Sequence, residues 1–154
     1  MTWFEFLKTV HVLLAITWLG GAVTFQLIAI RILKENPPTR LVAFTRDTEA
    51  IGMKIFLPAS LVLLVAGILM VLDAPGIDFT DAWIVIGLGG IVSTIIIGAG
   101  FLGPESGRLG TLIEQKGDTD PEVVQRISRI LMIARIDLLI LLAVAVNMVI
   151  QPGA

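Results

Sequence analysis

The residues best able to carry chemistry lie on one face of an apolar segment near the N-terminus. His11 is the one histidine in the sequence. Lys8 and Trp18 share its side of a helix, because residues three, four or seven apart are neighbours there. Since ionisable groups inside a membrane rarely face lipid, this stripe is expected to point into a helix bundle or toward a partner chain. The alternative is a structural histidine, because membrane interfaces tolerate polar rings.

Two methionines are predicted to lie at the same depth as His11. Met70 is near the end of the second apolar segment and Met148 near the end of the fourth. Gly67, about one helical turn from Met70, would open space beside it. Imidazole and thioether are ordinary axial ligands of heme iron, and Lys8 is placed to pair with a heme propionate. The alternative is that both methionines pack against lipid or other helices.

The fourth apolar segment carries two charged residues, Arg135 and Asp137. They do not face each other on a helix, because they are only two positions apart. The long side chain of Arg135 can reach the membrane surface, whereas the shorter Asp137 is expected to point inward. An ion pair with Lys54, or with Arg135 of a neighbouring helix or chain, is the favoured interpretation. A proton relay is the alternative.

Composition indicates a membrane protein. Of 154 residues, 56% are hydrophobic and only 16% are charged, with a mean hydropathy of +0.93, and this length suits one domain. The absence of cysteine excludes disulfides and thiolate chemistry. The sequence has no P-loop, GxGxxG or HExxH motif, and one histidine cannot build a conventional zinc site alone. The sequence has no basic, aromatic-rich patch of the kind that would indicate nucleic-acid binding.

Four apolar stretches are long enough to cross a bilayer, which takes about 20 residues. Pro58 is expected to kink the second span, and Gly90, Thr94 and Gly98 form a stripe of small residues in the third that is typical of close helix packing. The sequence thus predicts an all-α, four-transmembrane-helix bundle in one domain, 1–154, with spans at residues 9–30, 51–72, 83–102 and 130–150.

Helix-breaking residues mark the connections. Asn36-Pro37-Pro38 is expected to break the chain after the first span, and Gly103-Pro104 to open the longer third connection. Within that connection, Arg108–Gln115 is predicted to form a short surface helix that Gly117 stops. Asp120, followed by a proline, is predicted to cap the last helix.

The basic residues predict the orientation of the bundle. Ten of the eleven Lys and Arg residues lie in or beside the first and third connections. The only charged residues of the second connection are aspartates, and the termini contribute a single basic residue, Lys8. Because basic residues concentrate on the cytoplasmic side, both termini are expected to face outward. The ten residues are Arg31, Lys34, Arg40, Arg46, Lys54, Arg108, Lys116, Arg126, Arg129 and Arg135.

The first helix resembles that of a known family. It has the pattern Lys8-x-x-His11, with Trp18 seven residues further along. Gly21 follows after three more residues. This pattern looks like the first helix of the HemJ-type protoporphyrinogen oxidases, and a similar pattern occurs in the CopD-like domains associated with copper resistance.

Later parts of the chain extend the resemblance. Pro58-Ala59, with Gly67 nine residues after the proline, is similar to helix two of HemJ. Gln151-Pro152 resembles the closing Lys-Pro of that family. Over nearly its full length, the chain also resembles a family of predicted bacterial four-helix integral membrane proteins related to these two. Such relatives imply a multi-pass protein of the bacterial inner membrane.

The third and fourth helices depart from the HemJ pattern. In HemJ the third helix carries a Lys and a His after its tryptophan. Counting from Trp83, those positions hold Gly87 and Gly98 here. The Asn-Glu pair of the HemJ fourth helix is missing after Arg129. The resemblance therefore implies the heme ligand of the first helix without the residues associated with porphyrinogen oxidation.

These observations lead to a working hypothesis of a heme b-binding membrane protein. It would be a homodimer with an electron-transfer or heme-linked role and a possible membrane redox partner. His11 would ligate the iron, with Met70, Met148, the second chain's His11 or no residue in the sixth position. The rivals are a CopD-like transporter using the same three side chains as soft Cu(I) ligands, and a structural subunit without a cofactor. The residues that the resemblance places around the heme are Lys8, Trp18, Gly21 and Gly67.

Overall fold

The computed structural model describes residues 1–35 and 38–152. All regular secondary structure in these ranges is helical, which confirms the predicted all-α architecture. Of the break expected at Asn36-Pro37-Pro38, the first two residues lie outside the described residues, and Pro38 begins the second helix. The elements are α1 (Trp3–Glu35), α2 (Pro38–Ile51), a first π-helical turn (Gly52–Phe56), α3 (Leu57–Asp73), α4 (Ala82–Ile97), a second π-helical turn (Gly98–Leu102), α5 (Gly103–Lys116) and α6 (Pro121–Ile150).

In the described ranges these elements join into four long helical segments that are apolar enough to cross a membrane. Each predicted span lies within one of them, so the four-span bundle is confirmed. At about 1.5 Å per residue, segments of 30 to 35 residues are longer than a hydrocarbon core of about 30 Å. The segments are Trp3–Glu35, Arg40–Asp73, Ala82–Lys116 and Pro121–Ile150.

The two ends of the bundle carry different charges. At one end, called the basic end below, α1 passes to α2 and α5 passes to α6, and ten of the eleven Lys and Arg residues lie at or toward it. At the other, called the terminal end, lie both termini and the connection of residues 74–81. The terminal-end connection turns at Gly76, whose positive φ of 85° favours glycine.

Pro58, expected to kink its span, lies two residues after the first π-helical turn. The N–H of Leu57 donates to the carbonyl oxygen of Gly52, five residues earlier. A proline inside a helix lacks an N–H and crowds the carbonyl four residues before it. The wider turn shifts the hydrogen-bond register by one residue just before the proline, so helical structure continues from Arg40 to Asp73.

The second π-helical turn stands in the same relation to Pro104. Here the N–H of Gly103 donates to the carbonyl oxygen of Gly98. The expected opening of a connection at Gly103-Pro104 is therefore wrong, because the helix passes through both residues and ends only at Lys116. The predicted surface helix Arg108–Gln115 is helical, but it forms part of α5 and does not stand alone.

The expected helix stop and helix start at the basic end are both confirmed. Gly117 has a φ of 85°, and its N–H donates to the carbonyl oxygen of Ile113 at the end of α5. Only glycine adopts such a backbone conformation without strain. Asp120 then accepts a 2.9 Å hydrogen bond at Oδ1 from the N–H of Glu122 and caps α6.

Close helix packing explains part of the small-residue stripe in α4. A Cβ at Gly90 would overlap the side chain of Val144 on α6, so the missing side chain lets the two helices approach. Thr94 is fully buried. Gly98 does not lie in a close helix contact, because a Cβ there would meet no atom within 4 Å. The packing interpretation thus holds for Gly90 and not for Gly98.

Two clusters of buried apolar side chains hold the bundle together. One lies in the membrane-spanning part and the other at the basic end, where α2 packs along α5. Burial of such side chains is the main stabilising contribution where the helices leave the lipid. The first cluster comprises Trp18, Leu63, Ile91 and Leu141, and the second Ile32, Leu41, Leu109, Ile113 and Val123.

Ion pairs join the helices at the basic end. Arg126 of α6 pairs with Glu105 of α5, and Lys116 pairs with Glu122 at 2.7 Å. Such pairs are worth about 0–1 kcal/mol each where they are exposed. They therefore orient α5 and α6 more than they stabilise them.

Candidate functional site

The His11 ring lies between α1 and α3, in the half of the bundle near the terminal end. Its Nδ1 atom is 3.0 Å from the backbone carbonyl oxygen of Leu63. A carbonyl can only accept, so Nδ1 carries the hydrogen and donates. In a neutral imidazole the lone pair is then on Nε2. The fold therefore leaves Nε2 as the nitrogen that could bind a metal.

Gly67 lies directly beside this ring. A Cβ at position 67 would stand 3.1 Å from Cε1 of His11 and 3.4 Å from Nδ1, which is tighter than ordinary van der Waals contact. The missing side chain thus gives the imidazole its place against α3. The sequence placed Gly67 next to Met70, and the structure brings it together with His11.

The stripe around His11 differs in burial along its length. Trp18 is 8% exposed and belongs to the central apolar cluster, so it points into the bundle as expected. His11 is half-buried and Lys8 is exposed. Gly21 packs against the ring of Phe56 in the first π-helical turn, deeper than His11. Of the expected cofactor residues, Gly67 is the one for which the structure gives a contact with His11.

The two candidate sulfur ligands lie in different parts of the helix packing. The methyl group of Met148 lies against Gly87 and fills the space between α6 and α4. Met70 is half-buried on α3, three residues beyond Gly67. Next to Met148, Asn147 donates a 2.7 Å hydrogen bond to the carbonyl oxygen of Trp83. This bond and the Met148 contact join α6 to α4 at the terminal end.

Asp137 points inward, as expected, but among the described residues it does not form the predicted ion pair with Lys54 or Arg135. Its side chain is 7% exposed, and Oδ1 has no hydrogen-bond partner. Arg135 and Lys54, the expected partners, are both exposed. Arg135 is about 200° from Asp137 around the helix, so the two side chains leave α6 on opposite sides. An unpaired charged group at this depth costs roughly 2.5–3.5 kcal/mol.

Asp137 lines a cavity of about 170 Å³ that runs from the middle of the bundle toward the basic end. Gln26 of α1 lines the same cavity, and its Oε1 atom is also buried without a partner. Sequence reasoning missed Gln26, although an amide inside an apolar span is itself a signal. Other polar or aromatic residues on the wall are Trp18, Phe25, Phe44, Thr45, Thr48, Phe56, Ser60, Thr94 and Ser106.

The described residues offer no cluster of side chains that could hold a bare metal ion. No three side chains of His, Asp or Glu lie close enough to hold a metal among residues 1–35 and 38–152, and the chain has no cysteine. Heme iron already has four nitrogen ligands from its porphyrin and takes only one or two from protein. His11, whose Nδ1 is hydrogen-bonded and whose lone pair is therefore on Nε2, is the one imidazole that could supply such a ligand.

The fold defines a multi-pass helical membrane protein with one histidine between two spans and one buried carboxylate in an internal cavity. The chain belongs to the family described as predicted integral membrane protein (DUF2269), whose model matches residues 5–152. No curated protein and no solved structure matches it.

Proposed function

We propose that this membrane protein binds heme b through His11 and serves in electron transfer or another heme-linked process. The observation that carries the proposal is the 3.0 Å hydrogen bond from Nδ1 of His11 to the Leu63 carbonyl oxygen. Histidines that ligate metals almost always donate their other ring N–H to a carbonyl, a carboxylate or water. That bond fixes the tautomer and holds the ring in one orientation.

The residues around His11 have separate supporting roles in this proposal. Gly67 leaves room for the ring against α3. Lys8, exposed and one turn nearer the terminal end, supplies a cation for a propionate. Trp18 and Gly21 set the packing of α1. The resemblance of the first helix to HemJ supports the same ligand. Bound heme b would supply an Fe(III)/Fe(II) couple.

The proposal includes a second copy of the chain. The internal cavity of about 170 Å³ is close to the size of an engineered cavity of about 150 Å³ that binds benzene, and is too small for a porphyrin. His11 is not among the residues that line this cavity, so a heme on His11 would lie outside it, on the surface of the bundle, where a partner chain would shield it. The sixth position of the iron would be taken by Met70, Met148, the partner subunit's His11 or no residue.

Heme titration of detergent-purified variants tests the ligand. His11→Ala should lose heme, or hold it weakly with an altered Soret band, because the iron–nitrogen bond is removed. Lys8→Ala should keep the wild-type spectrum with a modest loss of occupancy, because an exposed ion pair is worth about 0–1 kcal/mol. If His11→Ala keeps the wild-type spectrum and heme content, the assignment of the ligand is wrong.

A further inference from the structure

We propose that the internal cavity is a binding site for a small organic ammonium ion, held by Asp137. This site is separate from His11 and does not depend on heme. Its wall combines a buried carboxylate, several oxygen acceptors and four aromatic rings. The proposal therefore names a ligand with one positive charge, N–H donors and a small apolar body.

The charge of the ligand follows from Asp137. The carboxyl group is 7% exposed, its Oδ1 has no partner, and no Lys or Arg among the described residues forms an ion pair with it. In its ionised form, a buried carboxylate that no protein cation neutralises attracts a cation and repels anions, and a bound cation in turn favours that ionised form. A primary ammonium group provides the charge and the donors in one atom.

The other polar groups of the wall are mainly acceptors. Ser60 and Thr94 donate their hydroxyl hydrogens to the carbonyl oxygens of Leu57 and Ile91, at 2.7 and 2.9 Å. Thr45 and Thr48 bond in the same way to carbonyls of their own helix. Each such hydroxyl keeps only lone pairs to offer. Together with the unpartnered Oε1 of Gln26, they favour a ligand that donates hydrogen bonds.

Aromatic rings form the remaining wall. Phe25 stands edge-on to Phe44 and to Phe56, with centroid distances of 6.0 and 5.7 Å, and Trp18 lines the same space. Aromatic faces attract cations and also bury apolar groups. A divalent metal is a poor fit, since no group of three acidic or histidine side chains is close together in the described residues.

The volume of the cavity determines the size of the test ligand. A volume of about 170 Å³ is slightly larger than an engineered cavity of about 150 Å³ that accepts benzene. Benzylammonium adds one CH₂–NH₃⁺ group to a benzene ring and is the test ligand. Benzyl alcohol has nearly the same shape without the charge and is the matched control.

Calorimetric titration of the detergent-purified full chain tests the site. Wild-type protein should bind benzylammonium at least about tenfold more tightly than benzyl alcohol, because only the ammonium forms a charge-assisted bond to Asp137. Asp137→Asn should remove that preference. Asp78→Asn makes the same charge change in the exposed connection at the terminal end and should keep it.

A second variant tests the cavity without changing the carboxylate. A side chain at Gly98 would enter open space, because a Cβ there meets nothing within 4 Å. Gly98→Leu should therefore fold and fill the cavity, and should abolish binding of both probes. Equal affinity of wild-type protein for the two probes, or full retention of the preference in Asp137→Asn, would overturn the proposal. So would unchanged binding in Gly98→Leu.

Discussion

His11 and Leu63 are joined by a hydrogen bond from the ring Nδ1 to the backbone carbonyl oxygen, 3.0 Å long and spanning 52 positions of the chain. The bond links α1 to α3 inside the membrane-spanning part of the bundle. Because the acceptor is a backbone atom, no substitution at position 63 removes it directly. The neighbouring Gly67 offers a way to disturb the bond while leaving His11 in place.

Gly67→Ala should weaken heme binding by about tenfold, within the range known for changes to groups that orient a metal ligand. The new Cβ would lie 3.1 Å from Cε1 of His11, so the ring must move by a few tenths of an ångström away from position 67, which disturbs its hydrogen bond to Leu63. Heme titration and the Soret maximum measure the effect.

Gly20→Ala is the control for that variant. Gly20 is exposed on the same helix as His11, and a Cβ there meets no atom within 4 Å. Its heme affinity and spectrum should match those of the wild type. Equal behaviour of Gly67→Ala and Gly20→Ala would show that the position of the His11 ring does not govern heme binding.

Alanine substitutions at two adjacent glycines of α4 should have different effects on the free energy of unfolding. Gly90→Ala forces a methyl group onto Val144 and should lower the free energy of unfolding by about 1–3 kcal/mol, as overpacking does. Gly89→Ala meets nothing within 4 Å and should be neutral or stabilising by up to about 1 kcal/mol. Unfolding of both variants in detergent measures the difference, and equal stabilities would contradict the close α4–α6 packing.

Both termini are predicted to face away from the cytoplasm. Ten of the eleven basic residues lie at or toward the basic end, and such residues are retained on the cytoplasmic side. A reporter inserted at Gly117 should therefore be active in the cytoplasm, and one fused after Ala154 should be active outside it. A C-terminal reporter that is active in the cytoplasm would show that the orientation is the opposite one, with His11 near the inner surface.

The chain is predicted to lack protoporphyrinogen oxidase activity. In the resemblance to HemJ described above, Gly87 and Gly98 stand where that family has Lys and His, and the Met148 methyl group fills the space beside Gly87. Expression in a strain without its own enzyme should not restore growth, with a HemJ protein as the positive control. Restored growth would show that neither missing side chain is needed.

The four spans could be predicted because their signal is local, whereas the helices beyond them could not. The segment that forms α2 contains Arg40 and Arg46 and is not apolar enough to be recognised as a span. Leu41 and Thr45 nevertheless repeat at helical spacing and are buried against α5. Packing between the two helices, and not the composition of either, decides their length.

In the candidate site, too, some features could be predicted from the sequence and others could not. The inward direction of Trp18 and Asp137 followed from the cost of placing polar groups in lipid. The absence of a partner for Asp137 could not be predicted in this way. The helical rotation of about 200° over two residues places Arg135 on the opposite side of α6. The hydrogen bond of His11 was also beyond prediction, since every residue has a carbonyl and only the packing of α1 on α3 selects Leu63.

The most direct test of the heme proposal is the visible spectrum of the wild-type protein purified in a mild detergent, oxidised and then reduced with dithionite. Heme b bound through His11 predicts a Soret band that co-purifies with the protein, and α and β bands that sharpen on reduction. A protein with no Soret band that also binds no added heme would contradict the proposal. Copper-dependent uptake by such a protein would favour the transporter alternative in its place.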